Sequence, residues 1–270
     1  QFRIFAVKLF VGAGLPRPCF MITITNLSFQ YRQPIFKQFD WSAARGETWA
    51  VLGPSGCGKS TLLMLLAGLK LPQGGEIMIG GERIRRPRPQ TGLILQDYGL
   101  LPWATVRENG ELGLKLRSFY GADGIHAPRA FVPVKDIDSW LERLGLAPVA
   151  AHYPAQLSGG QRQRAAIART LLLEPDLLLL DEPFSSPDAP TRAGLQTLTL
   201  ELAAEQGLTL VIVTHAIEEA ALLGRRILLL NEPPNRAAHI IENPGAGSVG
   251  YRESGEYAAL CRALRGMMQA

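Results

Sequence analysis

One nine-residue stretch limits the folds open to this chain more than any other feature of its sequence. It follows the pattern G-x-x-x-x-G-K-[ST] and consists of Gly53, Pro54, Ser55, Gly56, Cys57, Gly58, Lys59, Ser60 and Thr61. A strand-like apolar run precedes it at 47–52, and a helical apolar periodicity follows at 59–67. This order predicts a phosphate-binding loop, in which backbone N–H groups converge on a phosphate at a helix start. Lys59 then contacts the phosphates and Ser60 binds Mg²⁺. The strand and helix disfavour the alternative, a glycine-rich turn with an incidental lysine.

The rest of the chain shows a repeated order of strand, helix and strand. Almost wholly apolar runs at 177–180 and 208–214 are typical of strands covered on both faces of a parallel sheet. We therefore predict an α/β core with a parallel sheet, interrupted by a helical segment at about 98–157 that contains a loop at 121–133. Further strands are predicted at 22–28, 34–41 and 226–230, and helices at 136–144, 191–206, 216–223 and 256–268.

Composition excludes several classes of protein. With 47% hydrophobic and 19% charged residues in 270, the chain is neither disordered nor collagenous nor a coiled coil. Its apolar runs fall short of the roughly 18 residues of a membrane-spanning helix, so no such segment is expected. The net charge of +4 includes one basic cluster, Arg83, Arg85, Arg86 and Arg88, which is interpreted as a solvated turn. We expect no nucleic-acid partner.

Two further expectations concern the cysteines and residues 1–20. Three cysteines without metal-ligand spacing indicate a reducing compartment rather than a disulfide framework. Residues 1–20 contain no acidic residue and an apolar stretch broken by Lys8 and two glycines. We predict that 1–20 is an extension outside the core and that Met21 is the functional start.

Two further motifs carry possible chemistry. Asp181 and Glu182 follow the apolar run 177–180, at the strand end where open α/β sheets bind ligands. Asp181 is placed to hold magnesium and Glu182 to polarise a water molecule, although an acidic pair after a strand is often only a helix start. The stretch after Leu157 reads Ser158, Gly159, Gly160 and Gln161. It is a helix capping box, and its exposed N–H groups also suit an anion such as a γ-phosphate.

Taken in this order and spacing, the three motifs resemble those of the nucleotide-binding ATPase subunit of ABC transporters, from Met21 onward. The resemblance implies a P-loop NTPase (RecA-like) parallel-sheet core, an N-terminal antiparallel β subdomain and an inserted α-helical lobe, within one domain at 21–270. It also implies roles for single residues. Gln96 matches the glutamine that contacts Mg²⁺ and water, His215 the switch histidine, and Tyr31 an aromatic residue that stacks on adenine.

The same resemblance implies a mechanism and partners. ATP and Mg²⁺ are the expected cofactors, with Glu182, His215, Gln96 and Lys59 as catalytic residues. Ser60, Gln96 and Asp181 are the expected metal ligands. Two copies are expected to pair head to tail, with ATP between the phosphate loop of one copy and Ser158, Gly159, Gly160 and Gln161 of the other. Asp188 is a further expected nucleotide-binding residue. Permease subunits, and indirectly a solute-binding protein, are expected partners at the cytoplasmic face of the inner membrane.

The sequence departs from the family pattern in places, and one stretch resembles a particular subfamily. Residues 100–109 are similar to importers of nitrate, sulfonates, taurine and related solutes. Pro187 stands where the family carries leucine, and it removes a backbone donor before Asp188. Cys57 lies at a helix start, which predicts a lowered thiol pKa and alkylation that ATP prevents. An exporter subunit, a soluble ABC ATPase acting on DNA or ribosomes, and a subunit without hydrolysis stay open as alternatives.

Overall fold

The structure is a computed structural model that describes residues 20–120 and 136–269. The described residues contain the strands β1 (Phe20–Gln30), β2 (Pro34–Ala44), β3 (Thr48–Leu52), β4 (Gly74–Ile79), β5 (Glu82–Arg83), β6 (Thr91–Ile94), β7 (Leu177–Asp181), β8 (Thr209–Thr214), β9 (Arg226–Leu229) and β10 (His239–Glu242). They contain the helices α1 (Lys59–Leu66), α2 (Val106–Tyr120), α3 (Ile137–Arg143), α4 (Gly159–Leu171), α5 (Ala189–Glu205), α6 (Ile217–Leu223) and α7 (Gly255–Gln269). Three short 3-10 helices lie at Ala147–Val149, Pro154–Gln156 and Tyr251–Glu253.

The chain divides into two compact units. The first contains the residues up to Pro87 and those from Leu200 onward, and the second contains Arg88–Thr199. The inserted lobe predicted at 98–157 covers fewer residues than the second unit, and its boundaries stay a prediction. Of the predicted extension 1–20 only Phe20 is described, and the loop predicted at 121–133 lies outside the described residues.

The first unit contains an antiparallel sheet with the strand order β2-β1-β4-β5. β1 pairs with β2 on one side, for example Ile24 with Trp41, and with β4 on the other, where Ile24 faces Ile77. All three of these side chains are buried. This sheet confirms the antiparallel β subdomain, although β4 and β5 are not among the strands that the sequence predicts.

The first unit also contains strands β10, β9, β3 and β8 in this spatial order. β3 is parallel to both of its neighbours, so that Leu52 is in register with Thr214 of β8 and with Leu229 of β9. Every residue of β8 is buried. α6 and α7 pack on one side of these strands through a cluster that includes Ala221, Leu260 and other apolar residues. The parallel pairing confirms the predicted α/β core.

The second unit pairs β6 with β7 in parallel, with Ile94 in register with Leu180. The four leucines of β7 are buried, as the apolar run predicts. α4 packs against β6 and α2. α3 begins where predicted, because the Asp136 carboxylate accepts hydrogen bonds from the N–H groups of Asp138 and Ser139.

The structure bears on two further expectations, one about the basic cluster and one about membrane-spanning helices. Arg85 and Arg86 lie exposed in the turn after β5, as interpreted, whereas Arg88 in the second unit forms an ion pair with Asp176. Within 20–120 and 136–269, the length and apolar character of every helix fall below what a membrane crossing requires.

Candidate nucleotide-binding site

The phosphate loop connects the end of β3 to the start of α1. Pro54, Ser55 and Gly56 at its tip are exposed. The Cys57 N–H donates to the Pro54 carbonyl at 3.3 Å, which closes the turn. The structure therefore places the motif as predicted, between a buried parallel strand and a helix.

Two glycines of the loop lie where a side chain has no room. A Cβ atom at Gly53 would lie 2.4 Å from the carbonyl oxygen of Leu230. At Gly58, where φ is +111°, a Cβ atom would lie 2.5 Å from Cγ2 of Ile35. The left-handed backbone at Gly58 also excludes most other residues. Close packing of neighbouring strands against the loop thus explains both glycines.

The start of α1 is suited to an anion. Gly58 is the N-cap and supplies no side-chain acceptor to the first turn of the helix. The first N–H groups of a helix carry partial positive charge and bind phosphate well. Lys59 is only 7% exposed, and its Nζ donates to the carbonyls of Gly53 at 2.8 Å and Pro54 at 2.9 Å. The ammonium group thereby stays beside the loop, while Ser60 is exposed at the helix start.

His215 lies at the same sheet edge as the phosphate loop. β3 and β8 are parallel neighbours, so the residues after Leu52 and after Thr214 leave the sheet side by side. The Ala216 N–H donates to Thr214 Oγ1 at 3.0 Å, which shapes the turn that carries the exposed imidazole. The structure therefore brings His215 and the loop to one edge of the parallel strands.

Tyr31 lies at the turn between β1 and β2 and is 53% exposed. Its ring meets Phe29 edge to face, with the centroids 5.1 Å apart. Lys70 Nζ lies 5.1 Å from the Tyr31 centroid. An exposed aromatic face with a cation over it can stack with a planar base, which agrees with the role that the resemblance implies.

The second unit collects three predicted site residues at one sheet edge. Ile94 and Leu180 are in register, so Gln96 and the pair Asp181 and Glu182 follow the carboxyl ends of neighbouring parallel strands. Glu182 has the left-handed φ of +45°. Its carbonyl accepts from both the N–H at 3.3 Å and the hydroxyl at 3.0 Å of Ser185. Left-handed backbone is rare outside glycine and, when held by its surroundings, often marks a functional position.

The signature stretch forms the capped start of α4. Ser158 Oγ accepts from the Gln161 N–H at 3.2 Å, and Gln161 Oε1 accepts from the Ser158 N–H at 2.9 Å. This reciprocal pair confirms the predicted capping box. A Cβ atom at Gly160 would lie 2.6 Å from Cγ2 of Thr191, whereas Gly159 has open space around it. The structure thus places these residues on a helix start rather than at the β6–β7 edge.

Pro187 lies in the turn before α5. It is buried, and its carbonyl accepts from Nη2 of Arg192 at 2.8 Å. The next residue, Asp188, is exposed, and its carbonyl accepts from the Arg192 N–H at 2.8 Å. The proline therefore leaves the start of α5 intact.

Sequence reasoning missed two side chains that hold the segment after Gln96. Arg169 of α4 donates to the carbonyls of Gly99 at 2.7 Å and Tyr98 at 3.0 Å. Asn109 of α2 is buried, and its amide donates to three backbone carbonyls and accepts from the Leu101 N–H at 2.8 Å. An asparagine in a helix is a weak sequence signal, because its partners are known only from the fold.

The expectation of an acidic thiol at Cys57 is wrong. The side chain is 1% exposed, and burial raises the pKa of the Cys57 thiol despite the opposing effect of nearby Lys59. A helix start lowers a thiol pKa only where the thiolate keeps favourable solvation. Here the cost of desolvating the charged form exceeds the attraction of the lysine.

We therefore expect Cys57 to react slowly with iodoacetamide. In the folded chain its rate rises with pH past the ordinary cysteine pKa of about 8.5 before it levels off, because only the thiolate reacts. The rate is measured between pH 7 and 10 from the alkylated Cys57 peptide by mass spectrometry, with the urea-unfolded chain as reference. A plateau below pH 8 in the folded chain would contradict the raised pKa.

Comparison with known proteins agrees with this geometry. The profile of the ABC transporter family matches residues 36–185, more than half of the chain. The aliphatic sulfonates import ATP-binding protein SsuB of Bacillus cereus is 41% identical over 210 residues, which cover 77% of this chain and 78% of the relative. The taurine import ATP-binding protein TauB of Escherichia coli O157:H7 is 41% identical over 217 residues, 80% and 82% of the two chains.

A solved structure supports the same assignment. The chain is similar to the dimeric structure of a post-hydrolysis state of the ATP-binding cassette MJ0796 bound to ADP and Pi, with a TM-score of 0.68 and 30% identity. That match covers 83% of this chain and 99% of the solved one. The profile match, the extensive identity and the shared fold confirm the resemblance that the motifs suggest, and they show that this chain belongs to the ABC transporter family.

Proposed function

We propose that this chain is the ATP-hydrolysing subunit of an ABC importer for a small solute of the nitrate, sulfonate or taurine type. The observation that carries the proposal is the 41% identity, over about four fifths of the chain, to subunits named for sulfonate and taurine import. The geometry of the phosphate loop supports it, because an uncapped helix start and a buried lysine are suited to a nucleotide's phosphates.

ATP binding rests on residues from two copies of the chain. In one copy, Tyr31 stacks on the adenine and Lys59 contacts the β- and γ-phosphates, while the backbone from Gly53 to Thr61 surrounds the phosphates. In the other copy, Ser158, Gly159, Gly160 and Gln161 present the start of α4 to the γ-phosphate. The capping box supports this role, because it fixes the first turn of that helix.

The donor set fits magnesium. Ser60 offers a hydroxyl, Gln96 an amide oxygen and Asp181 a carboxylate, which are the hard oxygen ligands that Mg²⁺ prefers. Proteins commonly bind this ion with one or two carboxylates and leave the remaining positions to phosphate and water. When bound, Mg²⁺ neutralises charge on the phosphates.

We assign the steps of hydrolysis to the side chains that the family resemblance names. A water molecule attacks the γ-phosphorus in line with the leaving oxygen of ADP, and Glu182 accepts its proton. His215 contacts the γ-phosphate and Gln96 orients the water. Asp188 of the partner copy helps to bind the nucleotide. The products are ADP and inorganic phosphate. Positioning and charge neutralisation supply most of the catalysis in such transfers.

The partners follow from this assignment. Two copies form a head-to-tail homodimer with ATP at the interface, and the pair binds permease subunits at the cytoplasmic face of the inner membrane. A solute-binding protein delivers the solute to the permease. The dimeric state of the MJ0796 structure supports the pairing, and the names of the import relatives support the direction of transport.

A growth assay in the native host tests the proposal. A strain without this chain is expected to lose growth on taurine or an alkanesulfonate as sole sulfur source, or on nitrate as sole nitrogen source, and to keep growth on sulfate and ammonium. The wild-type chain restores growth and Glu182→Gln does not. Unchanged growth on every one of these solutes, together with ribosomes, DNA-repair proteins or an exporter permease in an affinity pull-down, would refute the importer.

A further inference from the structure

Asn235 lies far from the phosphate loop in sequence and directly beside it in the structure. It belongs to the connection between β9 and β10 and is 5% exposed. Its side-chain Nδ2 donates to the Cys57 carbonyl at 2.8 Å and reaches the Ile35 carbonyl at 3.4 Å. Its Oδ1 accepts from the Asn231 N–H at 3.0 Å. Both ends of the buried amide are therefore used, and one of them holds the loop.

The backbone of Asn235 is fixed as well. Its N–H donates to the Ile35 carbonyl at 2.9 Å, and its carbonyl accepts from the Lys37 N–H at 3.0 Å. These two bonds form a parallel bridge to Phe36 at the beginning of β2. Since Ile35 and Phe36 also pack against Gly58, Asn235 and β2 hold the loop from the same side.

The bond to Cys57 has a consequence for the next peptide N–H. In a planar trans peptide the carbonyl of one residue and the N–H of the next point in opposite directions. The Cys57 carbonyl points toward Asn235, so the Gly58 N–H points away from it. A rotation of this peptide would swing that N–H out of place, and the left-handed glycine at 58 offers little steric resistance to such a rotation.

We propose that Asn235 is a positioning residue for nucleotide binding, which holds the Cys57–Gly58 peptide so that the Gly58 N–H faces the phosphates. This inference rests on the proposed function, since it assumes that the loop binds ATP and ADP. Asn235 does not touch the nucleotide. It acts through the loop, as a buried side chain that supports a binding site from behind it.

Removal of the amide tests the proposal, with ADP as the probe and isothermal titration calorimetry as the readout. We expect Asn235→Ala to raise the Kd for ADP about tenfold, the effect of one well-oriented charge-assisted hydrogen bond. Asn243→Ala is the matched control. Asn243 is an equally buried asparagine, 3% exposed, that donates to the carbonyls of Ala221 and Gly224 at 2.8 Å and does not contact the loop. We expect it to lower thermal stability and to leave the Kd within about twofold of wild type.

A near-isosteric variant keeps the test decisive if Asn235→Ala does not fold. In Asn235→Asp the ionised carboxylate still accepts from Asn231 but has no proton to donate to Cys57. At pH 8, where this carboxylate is ionised, we expect Asn235→Asp to raise the Kd for ADP at least about tenfold. An Asn235→Ala Kd equal to that of Asn243→Ala, or an Asn235→Asp Kd within about twofold of wild type at pH 8, would overturn the proposal. A wild-type chain that does not bind ADP would instead contradict the proposed function.

Discussion

Glu182→Gln is expected to bind ATP with wild-type affinity and to hydrolyse it about 10² to 10⁴ times more slowly. Glutamine keeps the size of the side chain and both of its hydrogen-bonding positions, but it cannot accept the proton of the attacking water. Since the step after binding stalls, two copies should remain paired around ATP. Steady-state phosphate release gives kcat, and light scattering after size exclusion with ATP gives the mass of the trapped dimer.

Glu174→Gln is the matched control for this variant. Glu174 is the other acid among the described residues with left-handed backbone, with φ of +46° against +45° at Glu182, and it lies before β7 rather than after it. Both substitutions remove one negative charge from a similar backbone. We expect Glu174→Gln to keep kcat within about twofold of wild type, so that a general charge effect is separated from proton transfer. Undiminished ATPase activity in Glu182→Gln would refute the assignment of the base.

The parallel core was predictable because burial on both faces leaves a direct mark on the sequence. All four leucines of β7 and all six residues of β8 are buried, so both strands stand out in the sequence as almost wholly apolar runs. β4 lacks this mark, since its only buried residues are Ile77 and Ile79. Both residues of β5 are exposed. These two strands exist because they pair with an existing sheet, and such tertiary pairing cannot be read from a short window.

The site residues also divide into those that the sequence predicts and those that only the fold reveals. Most residues predicted for it come from contiguous motifs, whose spacing is imposed by local geometry such as a capping box or a turn between a strand and a helix. Tyr31, Gln96 and His215 were predicted from the family resemblance alone. The side chains that hold these motifs come from elsewhere. Asn235 meets the loop across 178 positions of sequence, and Arg169 meets Gly99 across 70. The prediction of a lowered pKa for the Cys57 thiol was wrong for a related reason. The burial that raises this pKa depends on neighbours beyond the motif.

Gly53→Ala is expected to raise the Kd for ADP about 100-fold, the cost of two lost hydrogen bonds from backbone N–H groups to the phosphates at about 1.4 kcal/mol each. Its Cβ atom would lie 2.4 Å from the Leu230 carbonyl oxygen and 2.7 Å from Cys57 Sγ. Leu230 cannot easily move away, because its N–H donates to the Leu52 carbonyl at 2.8 Å. The first residue of the loop must therefore move instead, and with it the backbone N–H groups that face the phosphates.

Gly224→Ala separates this effect from a general loss of stability. A Cβ atom there would lie 2.7 Å from the Ala50 Cβ and 2.9 Å from the Ala50 nitrogen. This methyl group would overpack the same β3–β9 pair as Gly53→Ala. Because β3 and β9 run parallel, it lies at the opposite end of the pair from the loop. Overpacking of this kind costs about 1–3 kcal/mol, so both variants should melt at lower temperature by circular dichroism. We expect calorimetric titration with ADP to give a Kd close to wild type for Gly224→Ala alone. Equal losses of affinity in the two variants would mean that strand packing as a whole, and not the position of Gly53, determines nucleotide binding.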